Sequence, residues 1–407
     1  MIKAWREFHP VIKIILSGSV LTSMGNGMIV PYFAIYLGEH SSLSISQIGF
    51  FIGASSLAGM FGGFLGGTLS DLLGRRRIMI ASLFFSAFIL LGLTLQEFPY
   101  LLMILTVVKG FTLSFFEPCS KALIADLTES SMRLRAFSMK YFCGNLGFAI
   151  GPIIGTILGL TETSAMPFFI AFIIFLTYSI VLNLLLIKFN VSTVSGPAEK
   201  VTFQASCKAM MKDRVLFLFL VGGLLATIVH GQFSVTLSQY FYADFQSGLG
   251  FLALLWSAHS LVIILFSVPI SGFMGKRPPM HSIIIGTALF AAGIAGFGLS
   301  INFPAFLISM IVFTIGEIFL IPAEYAIIDE ITPDSIRGTY YGAVSFTALG
   351  SFIGPGLSGF LLTQFNSQIM FTVLFAIAIS SILFYGWGIR AKGIKRELLE
   401  VRLKKSL

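Results

Sequence analysis

Charge is scarce in this chain: of 407 residues, 11% are Asp, Glu, Lys or Arg, against 56% that are hydrophobic. A soluble domain carries roughly 25% charged residues, so this composition excludes a water-soluble globule and places the chain in lipid. Cysteine is rarer still. The three residues, Cys119, Cys143 and Cys207, have no metal-ligand spacing and form no even set. That excludes a disulfide framework and leaves reduced structural thiols as the expectation. Nothing reads G-x-x-x-x-G-K-[ST], so no phosphate-cradling loop is present and ATP is not the expected energy source. The apolar runs are continuous rather than alternating, which argues against a membrane barrel. An embedded enzyme would need a nucleophile or a metal cluster at the membrane edge, and the sequence offers neither.

What the chain has instead is apolar runs of membrane length. A spanning helix takes about 20 apolar residues. Turn signals divide the sequence into twelve such spans, at about 11–37, 48–70, 77–96, 100–125, 136–160, 166–188, 214–238, 249–273, 281–301, 304–328, 338–363 and 368–390. The expected class is an all-α membrane protein. A net charge of +8 would suit nucleic acid in a soluble protein, but its placement here argues against that partner. Lys109 apart, the Lys and Arg residues gather at the N-terminus, in alternate loops, near their membrane edges and in the tail. This positive-inside bias puts both termini in the cytoplasm of a multi-pass cell-membrane protein. The basic segment 1–13 precedes an apolar run of about 24 residues, too long for a signal peptide's apolar core, so it is expected to be the first span. The longest polar interval, 189–213, separates six spans in 1–188 from six in 214–390. Residues 391–407 form a basic tail with Ile394, Leu398 and Val401 at helical spacing, expected to lie as an amphipathic helix on anionic lipid.

The two halves repeat one another. Pro118, Ala122, Thr128 and Arg133 match Pro322, Ala326, Thr332 and Arg337 at a constant offset of 204, and Gly147, Gly151 and Pro152 match Gly350, Gly354 and Pro355 at 203. An internal repeat of this length is a sequence signature of secondary transporters. Between spans 2 and 3 stands Gly67-Thr68-Leu69-Ser70-Asp71-Leu72-Leu73-Gly74-Arg75-Arg76-Arg77. Ahead of it, Gly59, Gly63 and Gly67, and Gly62 and Gly66, recur every four residues and make faces that another backbone can approach closely. Asp71 can bond to an arginine of its own loop or to the positive N-terminus of a helix from the other half. Such a contact would hold one side shut in one state and break in the other. The plainer reading is that Arg75, Arg76 and Arg77 only fix topology. In span 5, Gly147, Gly151, Gly155 and Gly159 line one face beside Pro152; in span 11, Gly350, Gly354 and Ser358 do so beside Pro355.

These features resemble the major facilitator superfamily. The loop is similar to its G-x-x-x-D-x-x-G-R-[RK] pattern through Gly67, Asp71, Gly74, Arg75 and Arg76, with Leu72 where a basic residue usually follows the Asp. Span 5 is similar to the G-x-x-x-G-P-x-x-G motif of the family's antiporters through Gly147, Gly151, Pro152 and Gly155, with Thr156 in place of the second glycine often found at its end. Asn26, in Gly25-Asn26-Gly27-Met28-Ile29-Val30-Pro31, is similar to the first helix of drug exporters. Thr106 stands four residues before Gly110, where the family's fourth helix usually carries an Arg. The resemblance implies twelve helices in two pseudo-symmetric six-helix bundles, with a central cavity opened to one side at a time. Among the family's members, the proton-coupled drug exporters are the most similar.

Ionisable residues within a span are costly, about +2.5 to +3.5 kcal/mol at the helix centre, so each is a candidate for function. Glu317 lies near the middle of span 10 and is the leading proton-coupling residue. Glu324, seven residues on, lies on nearly the same face; together they can pass protons inward or neutralise a cationic substrate, the plainer reading being a protonated Glu317 hydrogen-bonded to a neighbour and a Glu324 paired with cytoplasmic cations. Glu117 precedes Pro118 with Lys121 four residues later, the spacing of an intrahelical ion pair; a proton-coupling role is the other reading. Lys109, near the centre of span 4, must find a carboxylate or face water. For Asn26, His230, Gln232 and His259, an interhelical hydrogen bond and a substrate contact both fit. The expected activity is proton-coupled efflux of hydrophobic or cationic drug-like compounds, without cofactor or metal, by a protein whose partners are small molecules, protons and the bilayer, and which is expected to be a monomer. The alternative is a proton symporter or facilitator importing a small polar solute.

Overall fold

A computed structural model describes residues 2–40, 45–95, 99–158, 165–189, 191, 203–231 and 248–406, and all regular structure among them is helical. The first half contributes α1 (Ile2–Glu7), α2 (Pro10–His40), α3 (Ile45–Leu73), α4 (Arg75–Gly92), α5 (Pro99–Leu113), α6 (Phe116–Asp126), α7 (Ser130–Leu158) and α8 (Met166–Lys188). The second contributes α9 (Phe203–Lys212), α10 (Arg214–Gly231), α11 (Gly248–Met274), α12 (Pro279–Leu299), α13 (Phe303–Ile331), α14 (Arg337–Val344), α15 (Leu349–Gln364) and α16 (Ser367–Ser406). Among the described residues, nine helical stretches are long and apolar enough to cross a membrane. Several start where the chemistry of the chain favours it. Asn302 caps α13 by accepting from the Ala305 N–H at 3.0 Å, and prolines stand in the first turns of α8, α12 and α13, where no helical partner for their nitrogen is lost.

The chain forms two compact units. One comprises Met1–Phe203 with Ile263–Pro269 and Ser335–Ser345; the other comprises Gln204–Val262, Ile270–Asp334 and Phe346–Leu407. Glycine sets the closest helix contacts in both. A Cβ added to α7 at Gly147, Gly151 or Gly155 would lie 2.2, 2.5 or 2.4 Å from the backbone oxygens of Val20, Met24 and Met28 of α2. In the second unit a Cβ at Gly350 or Gly354 of α15 would lie 2.5 or 2.3 Å from the oxygens of Leu224 and Ile228 of α10. The same glycines that align in the sequence repeat therefore make the same contact twice, backbone against backbone. The glycines of α3 serve two neighbours. Gly62 and Gly66 receive the chain at Phe111 and Phe115, while Gly63 and Gly67 receive Ser345, Gly338 and Gly342.

Three features differ from the expected spans. Span 4 is not one helix: α5 ends at Leu113 and α6 starts at Phe116. The ring of Pro118 crowds the carbonyl four residues earlier, at Ser114, and the chain yields there; Pro322 takes the same place in the repeat, yet α13 runs through it. Span 11 is likewise divided, with a 3-10 turn at Ser345–Ala348 between α14 and α15. The tail is not separated from span 12, since α16 continues unbroken to Ser406. Between α3 and α4 the turn rests on Gly74, whose φ of 96° is the only positive glycine φ among the described residues, a conformation that L side chains rarely adopt.

Candidate functional site

The loop after α3 builds an ionic network at the start of α14. The Asp71 carboxylate accepts from the backbone N–H groups of Gly338 at 2.8 Å and Thr339 at 2.7 Å, and from the Thr339 hydroxyl at 2.8 Å. Both of the sequence-based expectations for Asp71 are met together, because Arg75 also donates to it at 2.9 Å. An anion at a helix N-terminus satisfies donors that have no helical partner and meets the positive end of the dipole. Arg75 then turns to Asp126 at the end of α6, at 2.5 Å, and Asp126 in turn accepts from Arg337 at 2.7 Å. Two carboxylates and two guanidiniums thus balance in a place where the arginine side chains are 9% exposed. Asp126 and Arg337 were not singled out as site residues. Arg337 stood in the repeat without a role. Arg76 stands apart from this network and donates to Asn183 of α8 at 3.0 Å. Gly67 supplies the close approach, since a Cβ there would lie 2.0 Å from the Gly338 oxygen.

A second polar centre lies inside the other unit. Glu317 of α13 is 4% exposed. Its Oε1 lies 3.2 Å from Nε2 of His230 on α10, and its Oε2 lies 3.7 Å from Nε2 of His259 on α11. His259 is held from behind by Thr314, one turn before Glu317, with Nδ1 and Oγ1 2.9 Å apart. Aromatic rings close the sides: Phe313 stacks on His230, and Trp256 meets His259 edge-on. The sequence offered Glu317, His230 and His259 one at a time. The fold joins them into a single cluster of three proton-binding groups. Glu324, seven residues further along α13, accepts from the Tyr385 hydroxyl of α16.

Glu117 heads a third cluster, in the first unit. The expected contact to Lys121 is present at 3.5 Å, but Lys140 of α7 is closer, at 3.1 Å, and also donates to Ser19 of α2 at 3.2 Å. Lys140 is buried, a short way into span 5, where its position made it look like a boundary residue. Tying α2, α6 and α7 together is the evident work of this knot. Asn26 is partly buried on α2 between Gly25, which faces Phe175 and Ala171 of α8, and Gly27, which faces Gly151 and Pro152 of α7. Lys109 is partly buried on α5. Gln232 lies outside the described residues. Among the described residues, no group of three His, Cys, Asp or Glu side chains is arranged to hold a metal ion.

Comparison with known families now bears on what these clusters belong to. The profile described as Major Facilitator Superfamily matches residues 15–347 and, in a second match, 219–400. The chain belongs to the major facilitator superfamily. Members are transporters rather than enzymes, and the chain is a multi-pass membrane transporter with the two pseudo-symmetric six-helix bundles of that fold. Among its superfamily relatives is the MFS-type transporter YqjV of Bacillus subtilis (strain 168), 30% identical over 410 residues that cover 100% of both chains. A Na(+), Li(+), K(+)/H(+) antiporter of Planococcus maritimus is 26% identical over 94% of this chain and 96% of its own. The quinolone resistance protein NorA of Staphylococcus aureus (strain Mu50 / ATCC 700699) is 26% identical over 88% of this chain and 91% of its own. This superfamily member therefore matches most of the length of both an ion/H(+) antiporter and a quinolone resistance protein.

Proposed function

We propose that the chain is a proton-coupled exporter that exchanges protons for lipophilic, cationic compounds by alternating access, in a bacterial inner membrane with both termini on the cytoplasmic side. The observation that carries this reading is the carboxyl of Glu317, buried between two imidazoles within apolar helices. An ionised carboxylate there is expensive without a proton or a cation beside it. Protonated, the site is neutral and rests alone; deprotonated, it favours a positively charged cargo. A site that must lose one to accept the other exchanges them, and NorA, a relative linked by name to quinolone resistance, supports a drug-like cargo. The test is proton movement in everted membrane vesicles energised to an acid interior. Adding lipophilic cations is expected to release the stored protons in vesicles that contain the transporter and not in empty ones. If a broad panel of such compounds leaves the gradient untouched while the protein is folded and abundant, the reading fails.

The antiporter relative favours a second reading, exchange of protons for alkali ions. Hard cations prefer oxygen ligands, and two of the three groups at Glu317 are imidazoles, so the cluster suits a proton or an organic cation better. Dissipation of the gradient by sodium, lithium or potassium salts alone would select the second reading.

In this scheme the Asp71 network is the gate, holding its side closed in one state. Charge-assisted hydrogen bonds contribute about 1.5–3 kcal/mol, so Asp71→Asn is expected to raise the population of the open gate by a factor of roughly 10 to 150. Cys119, buried against Gly66 on the same elements, is a built-in reporter. With Cys143 and Cys207 replaced by Ser, alkylation of Cys119 by a small maleimide should accelerate by about that factor in Asp71→Asn. An unchanged rate would remove Asp71 from the gate.

A further inference from the structure

Thr314 decides which nitrogen of His259 carries the proton. Its hydroxyl has one hydrogen, and that hydrogen points along the helix: Oγ1 lies 2.7 Å from the carbonyl oxygen of Met310, which can only accept. The same Oγ1 lies 2.9 Å from His259 Nδ1. With its hydrogen committed to Met310, the threonine oxygen accepts from His259, so Nδ1 is the nitrogen that bears hydrogen. Nε2 of a neutral His259 is then a bare lone pair, and it faces Glu317 Oε2 at 3.7 Å. Both residues are sheltered, Thr314 at 0% and His259 at 8% exposure, so water does not compete freely for these bonds.

We infer that Thr314 is a positioning residue that holds His259 in the Nδ1–H form and thereby makes Nε2, opposite Glu317, a proton-accepting position of the coupling centre; the inference rests on the exchange reading given above. In the other tautomer Nε2–H would donate to the Glu317 carboxylate directly. That bond stabilises the ionised carboxylate without any proton from solution. In the Nδ1–H tautomer two lone pairs face each other, and the arrangement is relieved when a proton enters between them. Uptake then adds one proton to the Nε2–Glu317 pair while Nδ1–H stays on Thr314; release returns that proton and restores the starting state. Among the described residues, the titratable groups facing His259 are Glu317 of α13 and His230 of α10. His230 reaches Glu317 through the other carboxylate oxygen, so the two histidines address separate atoms of one acid.

The test is the nitrogen-15 spectrum of full-length protein labelled at histidine, in lipid nanodiscs at about pH 9, where imidazoles are neutral. The chain has five histidines, and His259→Asn assigns the signal. Wild type and Thr314→Ser are expected to show His259 protonated at Nδ1, and Thr314→Val protonated at Nε2. The exchange assay gives a second readout. In Thr314→Val the Nε2–H bond favours ionised Glu317, so the pH profile of proton–cargo exchange should move to lower pH by on the order of one unit, and Thr314→Ser should restore it. A wild-type His259 protonated at Nε2 overturns the inference, as does a spectrum that Thr314→Val leaves unchanged. If Thr314→Val does not fold, the wild-type spectrum alone decides. Should the tautomer be found as described while Glu317→Gln still exchanges protons at the wild-type rate, the exchange reading fails and the assignment of Thr314 stands.

Discussion

Proteoliposomes carrying Glu317→Gln are expected to lose proton-coupled transport by about 100-fold or more, the scale on which removal of a positioned proton-transfer group acts. Gln has the shape of Glu and can still hydrogen-bond to His230, so the variant should fold and, at saturating cargo, still bind. What it cannot do is ionise. Without a site that alternates between proton and cation, uphill movement of cargo stops, while counterflow, the exchange of labelled for unlabelled cargo across the membrane, continues because it moves no net proton. Glu324→Gln serves as the comparison. Its carboxyl is tied to Tyr385, so it should cost far less. Equal losses in the two variants, or loss of counterflow in Glu317→Gln even at saturating cargo, would mean that Glu317 serves the fold rather than the coupling.

The second large effect concerns folding. Gly151→Val and Gly354→Val should each prevent recovery of monodisperse protein. The added Cβ would lie 2.5 Å from the Met24 oxygen in one case and 2.3 Å from the Ile228 oxygen in the other. Those are backbone atoms of packed helices, and they cannot turn aside as a flexible side chain would. Overpacking typically costs about 1–3 kcal/mol, and here two helices must separate, so the upper end or beyond is expected. Gly356→Val is the control, because nothing lies within 4 Å of its Cβ, and its elution profile should match wild type. Normal recovery of Gly151→Val would show that α2 and α7 tolerate wider spacing than their contact implies.

The fold was readable because lipid simplifies the problem. Membrane-length runs, a repeat at half the chain and charges at alternate loops are properties of segments, and each survives without knowing which helix meets which. Glu317 was readable for the same reason, since one carboxylate in an apolar run is conspicuous by itself. Its partners were not. His230, His259 and Thr314 lie 87, 58 and 3 residues from it, on three helices, and only packing brings them together. Lys140 was missed because its place near the start of span 5 suggested a membrane edge, whereas α7 begins at Ser130 and carries it inward to Glu117. The division in span 4 escaped notice because a proline in a long apolar run does not say whether the helix will break or run through, and that in span 11 because no proline stands in its turn, Ser345–Ala348. Pro118 and Pro322 occupy equivalent places and differ in that outcome. Asp71 was read more fully, because a lone acid among arginines at a span end has few partners available, and both kinds proved to be present.

The most direct measurement is proton release on cargo binding, made with purified protein in weakly buffered detergent solution containing a pH indicator. No gradient or membrane is needed, so binding and coupling are read together. With tetraphenylphosphonium as the probe, wild type is predicted to release protons in proportion to the probe bound, and Glu317→Gln, at saturating probe, to release none. Binding to wild type without proton release, or equal release from the variant, would contradict the claim that cargo and proton compete for Glu317.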